Sequence, residues 1–183
     1  MKGQAAMEYL MTYGWALLVI VIVIAILLII NPFSAPQGCR FDQTGFTCNN
    51  PVVDTDAKLF MSVTNGNNNA IKVCDIYCTG DRSPQPPAFS QLTNLRTDKN
   101  CTGTEVVILR RQESLEVSGF YGTSAVKPLT CKGPDGVSTA SLTAGSEFSG
   151  KVWIFYKNEE DGPDYPIRTV SANVVTKAVA KSS

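Results

Sequence analysis

The chain divides into one continuous apolar segment and a longer region in which apolar and polar residues alternate. No charged residue lies between Glu8 and Arg40, and residues 10–30 form an uncharged, largely aliphatic run. As a helix, this run would be roughly 31 Å long, which matches the hydrocarbon core of a bilayer. Asn31 and Pro32 end it, because proline lacks an N–H and keeps the preceding residue out of the helical region. The pattern predicts a membrane-spanning helix, with Lys2 in the cytoplasm and the residues after Asn31 outside the cell.

After a linker-like stretch over residues 31–38, short alternating runs are separated by Gly, Pro, Asp, Asn and Ser. In residues 58–63 the alternation places Leu59, Met61 and Val63 on one face, and residues 71–78 follow a polar turn at 65–69. We therefore predict a hairpin there. Further strands are predicted at 105–109, 114–121, 151–156 and 169–179. The sequence indicates an α+β protein: a long N-terminal apolar α-helix followed by an antiparallel β-sandwich, with roughly 145 residues in one domain.

Charge and composition exclude several classes of function. Basic and acidic side chains balance at 16 each, without a basic block, so nucleic acid is not an expected partner. The chain has no histidine, which removes the usual general base and the commonest metal ligand. We interpret Asp54 and Asp56 as surface residues rather than glycosidase acids. Residues 158–164 lack EF-hand spacing, and we interpret them as a solvated turn. No enzyme activity, metal or cofactor is expected.

Six cysteines follow the apolar run, and their even number in an exported domain favours disulfides. A zinc site is the rival interpretation, but there is no histidine and no second close cysteine pair. Free thiols in an intracellular protein are the third interpretation. If residues 71–78 are a strand, Cys74 and Cys78 are roughly 13 Å apart and cannot pair with each other. Up to three disulfides are predicted, their connectivity left open, among Cys39, Cys48, Cys74, Cys78, Cys101 and Cys131.

The residues before the apolar run carry a specific pattern. Glu8 stands at the edge of the span, where a carboxylate is costly, and the prolines after the run leave a poor signal-peptidase site. The stretch KGQAAMEYL resembles the class III signal peptides of archaeal type IV pilins and archaellins. Gly3 matches the residue before the scissile bond, Gln4 the first mature residue and Glu8 the acidic residue at the fifth mature position. Ala6 departs from the family, which often has serine there.

This resemblance implies a fate for each part of the chain. A prepilin peptidase would remove leader residues 1–3, and residues 4–36 would supply a transmembrane helix that later forms a filament core with other pilin subunits. Residues 37–183 would form an extracellular, disulfide-stapled, archaellin-like sandwich, and residues 145–180 look like its C-terminal strands. The precursor would cross the membrane once, with its C-terminus outside.

The function implied by the resemblance is that of a structural subunit of an archaeal type IV pilus-like surface filament. The alternatives are a membrane-anchored minor pilin or surface binding protein that forms no bulk filament, an uncut signal-anchor, and an anchored hydrolase. Glu8 is predicted to act in assembly by pairing with the α-amine of Gln4 on a neighbouring subunit. Asn100 begins the sequon Asn-Cys-Thr and is a candidate glycosylation site.

Processing gives the first testable prediction. Cleavage is expected between Gly3 and Gln4, because a residue without a side chain lets the backbone approach a protease closely. Mass spectrometry of the mature protein should find Gln4, or its pyroglutamate form, at the N-terminus. A mature N-terminus at Met1, or one beyond Ile30, would contradict the class III interpretation.

Overall fold

A computed structural model describes residues 2–30, 37–81, 85–88, 92, 101, 106–117, 120–121, 124–125 and 129–181. The chain forms two compact units, Met1–Pro36 and Gln37–Ser183, and we call the second the C-terminal domain. The first unit contains helix α1, Lys2–Ile30. The strands of the C-terminal domain are β1 Gly38–Phe41, β2 Phe46–Asp54, β3 Lys58–Asn65, β4 Ile71–Thr79, β5 Val107–Leu109, β6 Ser114–Val117, β7 Phe120–Tyr121, β8 Ser124–Ala125, β9 Leu129–Thr130, β10 Glu147–Asn158 and β11 Arg168–Val179.

The predicted helix is confirmed. Helix α1 is continuous over 29 residues. Within it, Met11–Ile29 has a mean hydropathy of 2.8 and none of it is buried in the single chain. By length and composition, α1 is therefore suited to crossing a membrane, as a membrane anchor or a signal sequence would be.

The predicted antiparallel sandwich is wrong. The C-terminal domain contains a nine-stranded mixed sheet in the order β5-β4-β10-β11-β2-β3-β6, with β1 paired to β11 and β9 paired to β3. Strand β11 pairs with β10 from Arg168 to Lys177, and then Ala178 and Val179 pair in parallel with Val53 and Asp54 of β2. This parallel step joins what would otherwise be two sheets into one nearly closed, barrel-like sheet.

The predicted hairpin is also wrong, although both of its strands exist. Strand β3 lies between β2 and β6, whereas β4 lies between β5 and β10. Residues 66–70 thus connect two strands that are not paired with each other. Alternating residues define which face of a strand is buried, but they do not identify its neighbours, and that is why the strands were found and the pairing was not.

Asn65 holds this crossover in place. Its side chain is fully buried, and Nδ2 donates to the backbone oxygens of Asn69 and Leu109, both at 3.0 Å, and of Arg110 at 3.3 Å. Oδ1 accepts the backbone N–H of Asn67 at 3.0 Å. The end of β3 is therefore connected to the turn between β5 and β6, whose two strands lie at opposite ends of the sheet order.

The main core fills the inside of the barrel-like sheet. Leu59, Met61 and Val63 of β3 point into it, as the alternation predicted. Strand β10 also contributes its outer face, because Trp153 and Phe155 form a second cluster with Cys74, Leu92 and Cys101. A strand buried on both faces explains the unbroken apolar run at residues 152–156. Other fully buried residues of the main core include Val53, Ile71, Leu115, Val117, Val152, Ile154, Val170 and Val174.

Substitution of Asn65 tests its role at the crossover. Asn65→Ala leaves the buried backbone oxygen of Leu109 and two partly buried backbone oxygens without their donor. We expect a loss of about 2–4 kcal/mol in the free energy of unfolding. Denaturant unfolding followed by tryptophan fluorescence measures this loss. Asn68→Ala, at an exposed position of the same loop, is the matched control and should change stability by less than about 0.5 kcal/mol. Equal effects of the two substitutions would contradict the role assigned to Asn65.

Candidate assembly site

The surface of α1 is the first candidate site. Every side chain from Met11 to Ile29 is exposed in the single chain, and the aliphatic residues occupy all sides of the helix. Leu28 and Ile29 are 77% and 82% exposed, and Trp15 is 72% exposed. A helix that is apolar all round is stable only when something buries it, which lipid or other helices can do.

The residues predicted for processing and assembly lie on this helix. Gly3, Gln4 and Glu8 all fall within α1, upstream of the apolar window. In a helix, Gln4 and Glu8 are one turn apart, about 6 Å along the axis. Only the backbone of these three positions belongs to the described part of the structure. Asn100, the candidate glycosylation site, lies outside the described residues.

The C-terminal domain contains three disulfides that use all six cysteines: Cys39–Cys48, Cys74–Cys101 and Cys78–Cys131, with Cα–Cα distances of 5.9, 5.1 and 4.5 Å. The expectation that Cys74 and Cys78 do not pair with each other is confirmed. The first bridge joins β1 to β2. The other two join β4 to segments that follow it. Three disulfides are compatible with an extracellular location.

A polar cluster holds the end of β1 against β11. The carboxylate of Asp42 accepts hydrogen bonds from the Ser171 hydroxyl at 2.6 Å and the Asn173 amide at 2.7 Å. Lys151 Nζ lies 3.4 Å from the same carboxylate. The hydrogen bond from Ser171 and the charge of Lys151 lower the pKa of Asp42 despite its partial burial. Because one carboxylate binds both the serine and the lysine, we interpret the cluster as a connection between strands rather than an activated nucleophile.

The other acidic residues considered from the sequence have separate structural contacts. Asp54 is buried, so its interpretation as a surface residue is wrong; its Oδ1 accepts the backbone N–H of Lys58 at 2.8 Å. Asp56 is exposed and pairs with Lys181 at 2.8 Å. The hydrogen bond from Lys181 lowers the pKa of Asp56. In the turn after β10, burial alone would raise the pKa of Asp161, but contacts with Arg168 and a backbone N–H outweigh it and lower the pKa.

No group of three or more His, Cys, Asp or Glu side chains is placed to hold a metal ion within the described residues.

Sequence reasoning missed one feature, a cleft of about 150 Å³ on the outer face of the β4–β10 pair. Tyr77 and Trp153 are direct partners across these strands, and Pro86 and Pro87 line the cleft with them. Tyr77 and the two prolines lie close together in the sequence, whereas Trp153 is more than 60 residues further along the chain. The apolar run at 152–156 was a signal that both faces of β10 are covered, but it did not identify what covers the outer face.

No protein-family model matches the chain, and no curated protein matches its sequence.

The Asp42 cluster gives a prediction about pH. Because the folded pKa of Asp42 lies below its unfolded value of about 3.9, its stabilisation is complete above that value and is lost as pH falls through the folded pKa. Asp42→Asn should destabilise the domain at pH 7, by less than about 1 kcal/mol because water screens the 40% exposed carboxylate.

Unfolding of the wild type and of Asp42→Asn should be compared at pH 7 and pH 2.5. The difference in stability between them should shrink at the lower pH. The comparison cancels the titration of other carboxylates, among them Asp56 and Asp161. A difference that stays constant or grows as the pH falls would show that Asp42 does not act through its charge.

Proposed function

We propose that the protein is a structural subunit of a type IV pilus-like surface filament, inserted in the membrane as a precursor and polymerised through α1 after cleavage between Gly3 and Gln4. One observation carries the proposal: the apolar surface of α1 is exposed on all sides in the single chain. The proposal says what buries that surface, first lipid and then the same helix of other copies.

The free energy of burying apolar side chains favours a state in which α1 is removed from water. Burying one Val, Leu or Ile side chain stabilises by about 1.5–3 kcal/mol relative to leaving it in water. Met11–Ile29 consists mostly of such residues, so the total is of the order of tens of kcal/mol. This exceeds the stability of an ordinary domain, about 5–15 kcal/mol, so the helix is not expected to remain in water.

The residues around the proposed cleavage site favour assembly over a simple anchor. A plain anchor gives no reason to place Glu8 beside the span, where a carboxylate costs up to a few kcal/mol. Cleavage after Gly3 would create an α-amine on Gln4, which is largely cationic at neutral pH. In an apolar filament core this amine and the Glu8 carboxylate of a neighbour would offset each other's desolvation and fix the axial register of the subunits.

The C-terminal domain adds less to this proposal. Its barrel-like mixed sheet differs from the antiparallel sandwich that the resemblance implied, so the support comes from the N-terminal segment. Its three disulfides fit a domain exposed outside the cell, where disulfides form and persist.

The second candidate function is that of a membrane-anchored surface protein, or a minor pilin, that forms no bulk filament. It is favoured by the fact that lipid alone would bury every exposed side chain of α1. Electron microscopy of sheared cell-surface fibres, with mass spectrometry of their protein, separates the two. This chain should be the main component of the fibres, and its absence from them would favour the second function.

Glu8→Gln tests the pairing, because it keeps the side-chain size and removes the charge. We expect the variant to be inserted and cleaved normally but to yield at least about tenfold less filament, since the buried amine loses its partner. Filament yield is measured by immunoblotting of the sheared fraction against the membrane fraction. Glu160→Gln, at an exposed position of the C-terminal domain, is the control and should assemble normally.

Two outcomes would overturn the pairing. Normal filament yield from Glu8→Gln would show that the charge is not needed, and loss of cleavage would assign Glu8 to recognition by the peptidase. Mass spectrometry of the mature N-terminus must accompany the assay. If Gln4 has cyclised to pyroglutamate, the partner charge is missing, and Glu8 would have to be protonated or bond to backbone groups instead.

A further inference from the structure

The cleft on the outer face of the β4–β10 pair has walls of two kinds. Its volume is about 150 Å³. It is lined by four residues with flat side chains, Tyr77, Trp153, Pro86 and Pro87, and by the acidic residue Asp81. Binding sites for small molecules combine apolar walls with a few fixed polar groups in this way, but they usually enclose 300–1,000 Å³. The cleft is therefore sized for one small group rather than a large ligand.

The groups that form the cleft are held in place. The Tyr77 hydroxyl donates to the backbone oxygen of Gly136 at 2.9 Å, and the backbone N–H of Asp81 donates to Thr79 Oγ1 at 3.0 Å. Cys78, between Tyr77 and Thr79, forms the disulfide with Cys131. The Tyr77 side chain and the backbone at Asp81 are thus fixed before a ligand binds, which lowers the entropic cost of binding.

Asp81 is the one charged residue among the described residues that line the cleft. Burial is the first cause that raises the pKa of Tyr77, and the carboxylates of Asp81 and Asp135 raise it further, so both carboxylates act on the same hydroxyl. Lys151 Nζ lies 5.3 Å from the Trp153 ring centroid, but Asp42 pairs with its charge. None of the described residues that line the cleft is cationic. This arrangement disfavours phosphates and carboxylates as ligands.

We infer that this cleft binds an alkylammonium group, either a free small amine or the side chain of a lysine on a partner protein. Aromatic rings attract a cation through their negative faces, and the attraction strengthens where water is partly excluded. The Asp81 carboxylate supplies the opposite charge, and the prolines contact the alkyl part. The inference does not depend on the proposed role of α1, so either can fail without the other.

The test uses the full chain in detergent micelles, in a Trp15→Phe background so that Trp153 is the only tryptophan. Tetramethylammonium chloride is titrated at constant ionic strength while Trp153 fluorescence is recorded. We expect a saturable change with a Kd of the order of 1–10 mM, because the probe has few atoms. The uncharged analogue tert-butanol should bind at least about tenfold more weakly, since it lacks the charge.

Variants assign the binding to this cleft. Asp81→Asn should weaken tetramethylammonium binding about five- to tenfold, whereas Glu160→Gln, an equal change of charge at an exposed turn, should leave it within about twofold. Tyr77→Phe keeps the ring and should retain binding, whereas Tyr77→Leu should lose most of it. If Asp81→Asn fails to fold, the comparison of Tyr77→Phe with Tyr77→Leu decides whether the probe binds in this cleft.

Three results would overturn the inference: no saturable response up to about 100 mM, equal affinity for tert-butanol, or unchanged affinity in folded Asp81→Asn. The two sources of the ammonium group are separated with blocked tripeptides, Ala-Lys-Ala and Ala-Gln-Ala. If Ala-Lys-Ala binds as tightly as tetramethylammonium and Ala-Gln-Ala does not bind, the ligand is a lysine side chain. Binding of tetramethylammonium without either peptide indicates a free small amine.

Discussion

The C-terminal domain depends on the fact that one strand pairs with three others. Strand β11 pairs along most of its length with β10, takes up β1 on its other side, and ends in a parallel pairing with β2. Without that last step the strands would form two separate sheets. Three features follow from where β11 lies, because each involves a direct neighbour of this strand. They are the position of β1, the contacts of Asp42, and the burial of the inner face of β10.

Part of this arrangement could be predicted from the sequence, and the reason lies in the range of the interactions. The uncharged run defined α1, and alternation located β3 and its buried face. The distance that four residues span along a strand was enough to exclude a bridge between Cys74 and Cys78. Strand pairing and the cleft depend on contacts between residues far apart in the chain. Strand β2 was missed because polar residues and Pro51 break its apolar pattern, and Asn65 was interpreted as a turn residue although its amide is fully buried.

The two units of the chain satisfy different physical requirements. The C-terminal domain buries its apolar residues inside its own sheet and under the second cluster on β10, and disulfides reinforce it. Helix α1 buries none of its described side chains within the chain. The need for a partner or a membrane therefore resides in α1, and the ligand proposed for the cleft at Tyr77 and Trp153 does not depend on how the helix is buried.

The Cys39–Cys48 disulfide has a mechanical consequence. Strand β1 is the first element of the domain after α1, so tension applied through the helix reaches Gly38 and Cys39 before any other strand. The bridge joins Cys39 directly to β2 and bypasses the nine-residue separation between the two cysteines. Tension is then transmitted covalently into β2, where the pairings with β3 and β11 share it. Strand β1 is protected from being peeled away from the domain one hydrogen bond at a time.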